Sequence, residues 1–131
     1  MPTVVLDTNV VLDLWHFNDV RCTGLRQAID AGALHIVTSA ALDDELNDVL
    51  SRDQFVASRA TVVERWQRAA VRIDVHTRAP WLCRDRADQM LLDLAVAARA
   101  ELLLTKDKAL LTLARKARLA GLTIASPDSV S

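Results

Sequence analysis

TVVLDTNVVLDLW, residues 3–15, changes character once, and that change decides how the chain is read. The run TVVL (3–6) has the length and β-branching of a buried strand. It stops at Asp7, with Thr8 and Asn9 behind it, before apolar residues resume at helical spacing. Asp, Thr and Asn all suit a helix N-cap, so a strand handing over to a helix accounts for the residue types. An acid at that point can also face a cleft and hold a cation. Position alone leaves both readings open.

The handover recurs along the chain. LHIVT (34–38), preceded by Gly32, reads as a second strand, as do ELLLT (101–105) and LTIAS (122–126), the last following Gly121 as a helix C′ residue. VRIDVHT (71–77) alternates apolar and polar residues as a half-exposed edge strand would. Helical patterns fill 9–17, 21–31, 39–51, 55–70, 86–100 and 107–120. Strands alternating with helices predict an α/β fold with a parallel sheet. Ligands of such sheets bind outside the carboxyl ends of the strands, and Asp7 and Asp107 both sit just past one.

With 131 residues, 51% of them hydrophobic, and only three Gly and three Pro, the chain reads as one compact domain (1–131) with a real core. No apolar stretch approaches the roughly 20 residues that cross a bilayer, and the N-terminus lacks the basic and apolar regions of a signal peptide. No membrane association and a cytoplasmic location are expected. Cys22 and Cys83 stand alone, without zinc-ligand spacing, which argues against both a zinc site and a disulfide. A net charge of −1 and a pI near 6.3 give no nucleic-acid signature for the chain as a whole. The positive charge is almost all arginine, the residue better suited to phosphate.

Three further acids bear on Asp7. Asp107, in LLLTKDKALL, follows the strand ending at Thr105, and by itself it is an ordinary first-turn carboxylate. Asp88 is more telling, because Leu91, Leu92 and Ala95 follow it at three, four and seven residues. That spacing puts it on the core-facing stripe, with Asp93 opposite, facing solvent. A lone buried carboxylate costs on the order of several kcal/mol unless donors or a cation compensate it. Backbone N–H groups of the first turn, with Asp85 as N-cap, are one compensation, and a metal is the other. In the helix from Ser39, Leu42, Leu46, Val49 and Leu50 share a face, and Glu45 stands beside it. Asp44 and Asp48 point away, and Asp43 and Asp44 fit dipole complementarity on a solvated face.

Four carboxylates from four segments can thus converge at one sheet edge, where they repel one another without a counter-ion. Hard oxygen ligands suit Mg²⁺ or Mn²⁺, and an open acidic cleft holding such ions suits phosphoester chemistry. Arg65, Arg68 and Arg72 recur at spacings of three and four along the 55–70 helix and its end. They form either a solvated face or a strip that tracks a phosphate backbone.

The ordered set VVLDTNVVLDL (4–14), the Glu45 helix, CRDRADQMLLDLAVAARA (83–100) and LLLTKDKALL (102–111) resembles a PIN domain over almost the whole chain. It is most similar to the small stand-alone PIN proteins described as toxins of bacterial toxin–antitoxin systems. The resemblance implies a metal-dependent ribonuclease of three-layer α/β/α architecture, with a central parallel sheet of about five strands. It implies one or two Mg²⁺ or Mn²⁺ ions held by Asp7, Glu45, Asp88 and Asp107, with Thr8, Asn9, Ser39 and Thr105 as supporting polar positions. It also implies RNA as substrate, and it admits an antitoxin protein and a second copy of the chain as partners. Two departures bear on substrate preference and metal stoichiometry. Asp85-Arg86-Ala87-Asp88 stands where relatives often read Asp-Pro-Asp-Asp, and Lys106 stands where Gly is frequent. Arg86 and Lys106 are therefore added to the arginine strip as candidate substrate contacts. A haloacid-dehalogenase-like phosphatase needs a second Asp where this chain has Asn9, and the acid pattern of a receiver domain is absent. The remaining rival is a catalytically silent PIN-fold domain that binds protein or RNA.

Overall fold

The computed structural model describes residues 1–131. Five strands form one sheet: β1 (Thr3–Leu6), β2 (His35–Thr38), β3 (Ala70–Arg72), β4 (Leu102–Leu104) and β5 (Thr123–Ala125). All four pairings are parallel, in the order β3-β2-β1-β4-β5. Strands covered on both faces have no polar side to spare. Hence Val4, Val5 and Leu6 of β1 and Leu103 and Leu104 of β4 are all fully buried. Helices α1 (Thr8–Trp15), α2 (Thr23–Asp30), α3 (Ala40–Leu50), α4 (Arg59–Ala69), α5 (Arg86–Ala97), α6 (Lys108–Leu111) and α7 (Ala114–Leu119) flank the sheet, giving the expected three-layer α/β/α fold. Thirty buried apolar residues make one continuous core, and no helix is long and apolar enough to cross a membrane.

The chain moves from β1 outward to β2 and β3, then returns past β1 to β4 and β5. Parallel crossovers are almost always right-handed, so this reversal sends the later helices to the opposite face of the sheet. A crevice opens where the direction reverses, beyond the carboxyl ends of β1 and β4. Asp7 stands there, its amide bonded to the Leu104 carbonyl at 3.0 Å.

Helix ends follow local chemistry. Gly32 (φ 69°) and Gly121 (φ 88°) take the left-handed conformation expected of residues that close α2 and α7. Arg99 (φ 52°) does the same after α5, without the glycine that would have announced it. Three expected elements change. The 107–120 helix divides into α6 and α7, with the Thr112 hydroxyl bonded to the Ala109 carbonyl at 2.7 Å. Such local bonds compete with helix continuation. The 55–70 helix starts only at Arg59, after a 3₁₀ turn over Asp53–Phe55. The 71–77 strand shrinks to Ala70–Arg72; beyond it, Ile73 and Val75 still alternate inward, packing half-buried on the core from a coil.

Candidate active site

Four α-helices are capped by the side chain of an acid or a serine, and the three acids among these caps face the crevice. Asp7 caps α1 by accepting from the Asn9 amide at 3.4 Å. Asp107 caps α6 through the Ala109 amide at 2.7 Å. Asp85 caps α5 through the amides of Ala87 (2.8 Å) and Asp88 (3.2 Å). The fourth cap is Ser39, which accepts from the Leu42 amide at 3.2 Å. Capping and display are therefore the same geometry: a carboxylate that caps a helix after a parallel strand sits at the sheet's carboxyl edge.

Thr105 joins two of these acids. Its hydroxyl donates to Asp7 Oδ2 at 2.7 Å and accepts the Asp107 amide at 3.0 Å. Because the amide occupies a lone pair, the hydroxyl hydrogen is committed to Asp7. Asp7 is nevertheless pushed up from the usual carboxylate range. Burial is the main cause and Asp107 adds to it, against the hydrogen bonds from Thr105 and Asn9. Asp88 is pushed up to about 6, first by burial and then by Asp107, Asp85 and Asp7. Asp107 thus acts on both, and the acids share one field.

A cleft of about 340 Å³ is lined by Asp7, Glu45, Asp85, Asp88 and Asp107, with Thr8 and Asn9 on its wall. The structure therefore brings together the four candidate acids and adds Asp85. The donor set is entirely oxygen, which fits a hard divalent ion. As the side chains stand, no three His, Cys, Asp or Glu residues are close enough to close around one ion. Phe17, Arg52 and Gln54 also line the cleft. Phe17 follows the end of α1, and Arg52 and Gln54 come from the short turn after α3.

Other candidates lie elsewhere. Ser39 does not line the cleft; it starts the helix that carries Glu45. None of Arg65, Arg68 and Arg72 lines the cleft. Arg72 belongs to β3 and donates to Asp43 Oδ2 through Nε (3.0 Å) and Nη2 (2.8 Å). Arg68 pairs with Glu64 at 3.0 Å, and Arg65 is exposed. Asp43, expected on a solvated face, also accepts from the Thr38 hydroxyl and Trp66 Nε1, each at 2.8 Å, and so ties α3 to β2, β3 and α4. Lys106 turns away from the cleft to pair with buried Asp13 at 2.5 Å. Arg86 lines a neighbouring groove with Asp44, Glu45 and Asp48. Asp93 does not face solvent freely: it accepts the Ala79 amide and Gln89 Nε2, both at 2.8 Å, and anchors the coil before α5.

The PIN domain model matches residues 3–109, and the chain belongs to that family. Among curated proteins no match is found. Among solved structures, a chain of VapBC2 from Rickettsia felis, crystallised bound to a DNA fragment from their promoter, superposes with a TM-score of 0.66. It is 15% identical, and the match covers 93% of this chain and 96% of that one. At that identity the likeness is one of fold.

Proposed function

We propose that this PIN domain is an endoribonuclease dependent on Mg²⁺ or Mn²⁺, acting in the cytoplasm as the toxin of a toxin–antitoxin pair. The observation that carries the reading is the cleft at the sheet's switch point, where carboxylates from four segments meet. A divalent ion held by Asp7, Glu45, Asp88 and Asp107 would supply phosphate charge neutralisation and an acidified water. Thr105 keeps the Asp7 carboxylate aimed into the cleft through its directed hydroxyl. Asp88, at the start of α5 and lining the cleft, would accept the proton of the attacking water at a carboxylate oxygen. Water oxygen would bond to phosphorus as the bond to the 3′-oxygen breaks, and that oxygen would take a proton from solvent, leaving a 5′-phosphate and a 3′-hydroxyl. Resemblance of fold to VapBC2, which engages its own promoter DNA, supports a DNA-binding antitoxin as partner. A second copy of the chain is a further partner of the proposal.

The silent binding-domain reading draws on the acids' failure to close around a single point. One experiment separates the two. The wild-type protein should cleave an unstructured RNA with Mg²⁺ or Mn²⁺, and chelation or Asp7→Asn should abolish cleavage. Binding without cleavage across a range of metal concentrations would favour the silent domain. Cleavage that survives Asp7→Asn would contradict the site.

A further inference from the structure

We propose that Phe17 and Arg52 form a subsite for one unpaired nucleotide of the substrate, Phe17 stacking on the base and Arg52 holding an adjacent phosphate. The proposal rests on the ribonuclease reading and narrows its substrate to strands unpaired at that nucleotide. Phe17 is 57% exposed yet lines the same cleft as the acids. A solitary exposed phenylalanine is ordinary. This one is held in place and has chemically matched company.

Its amide donates to the Leu12 carbonyl at 2.9 Å as α1 ends, and Asn18 beside it turns left-handed (φ 50°). The ring meets His16 edgewise at 4.5 Å and 84°, and Phe55 at 6.2 Å and 81°. His16 is itself fixed, packed on Phe55 and bonded through Nδ1 to the Ser58 hydroxyl at 2.5 Å. The exposed ring is therefore presented by a buttress that spans α1 and the turn before α4.

Arg52 is exposed on the same cleft and belongs to none of the four ion pairs. Nearby Arg59, by contrast, is committed to the Leu50 carbonyl at 2.7 Å. An uncommitted guanidinium in a cleft of five carboxylates is matched by a ligand that brings its own negative charge. A flat apolar face displayed in the same cleft is matched by a ligand carrying planar rings. A single nucleic-acid strand offers both at every residue, whereas a duplex hides its base faces.

The test uses Asp7→Asn protein and a short unstructured RNA carrying 2-aminopurine at successive positions. One position should be quenched on binding. Phe17→Leu should remove that quench and weaken binding roughly ten-fold, with the salt dependence unchanged. Phe17→Trp should restore both. Arg52→Gln should instead make the log–log salt slope shallower by about 0.7, the value for one phosphate contact on a single strand. RNA with an abasic nucleotide at the quenched position should bind equally well with and without the Phe17→Leu change, and binding of duplex RNA should ignore that change too. Unchanged affinity in Phe17→Leu would overturn the subsite and give the aromatic wall to a protein partner, while cleavage by the wild type would leave the ribonuclease reading standing. Quenching without any wild-type cleavage would keep the subsite and overturn the nuclease. Absence of both binding and cleavage would overturn both.

Discussion

Burial and the neighbouring Asp107, Asp85 and Asp7 push the Asp88 carboxyl up to about 6, which gives the metal-free protein a definite pH profile. Between about pH 4, where a free aspartate titrates, and about 6, the folded chain keeps a proton that the unfolded chain releases. Stability should therefore fall as pH rises through that window and stay lowered above it. Asp7, raised by burial, contributes with the same sign. Asp88→Asn should remove much of the fall and stabilise the protein at pH 7.5 by on the order of 2 kcal/mol. Urea midpoints at pH 4.5 and 7.5 measure this, and a variant less stable at 7.5 would contradict it. Lys106 and Asp13 make the opposite case. Lys106→Met strands a buried carboxylate and should cost about 2 kcal/mol, less than a fully buried pair because Lys106 is 37% exposed. Adding Asp13→Asn should recover most of that loss in the same melts. Four of the five cleft acids were legible in the sequence because each is tied to a local signal, a strand end or a helix stripe; Asp85 was legible only as an N-cap. Lys106 on Asp13, Trp66 and Arg72 on Asp43, and the Ala79 amide on Asp93 were not, because each arrives from a segment remote in sequence or from a coil without periodicity.

Among the elements, α5 shows what local pattern reveals and where it stops. Its N-cap at Asp85 and its buried Leu91, Leu92 and Ala95 follow directly from spacing. The coil before it carries no such pattern, yet Asp93 and Gln89 pin it, Gln89 through the Cys83 amide at 2.7 Å and the Trp81 carbonyl at 3.2 Å. Asp93→Ala should leave α5 intact but speed hydrogen exchange at the Ala79 amide, at a cost of about 1–2 kcal/mol. Unchanged protection at Ala79 would show that the coil is held by packing alone. Ser39→Ala should cost about 1 kcal/mol by uncapping α3, read in a thermal or urea melt. The β1 and β2 strands were legible as apolar runs. The end of β3 and the break between α6 and α7 were not, since pairing with a neighbour decides the first and a threonine side chain accompanies the second.

For the molecule as a whole, the parallel order β3-β2-β1-β4-β5 makes the acidic crevice a property of topology. A divalent ion admitted there should stabilise the folded state by mass action. Mn²⁺ should accordingly raise the melting temperature of the wild type, with a smaller rise for Asp7→Asn. An equal rise in both would place the ion elsewhere. The same strand order has a consequence for synthesis. Of the five strands, β1 is made first and becomes the centre of the finished sheet, and its second edge waits for Leu102–Leu104. At about 5–20 residues per second, β1, β2 and β3 can pair seconds before β4 exists. Thr105 and Asp107 arrive only with β4 and the residues behind it, so until then a growing chain lacks the group that aims Asp7. The crevice at the centre of the sheet is therefore completed later than the three strands on its other side.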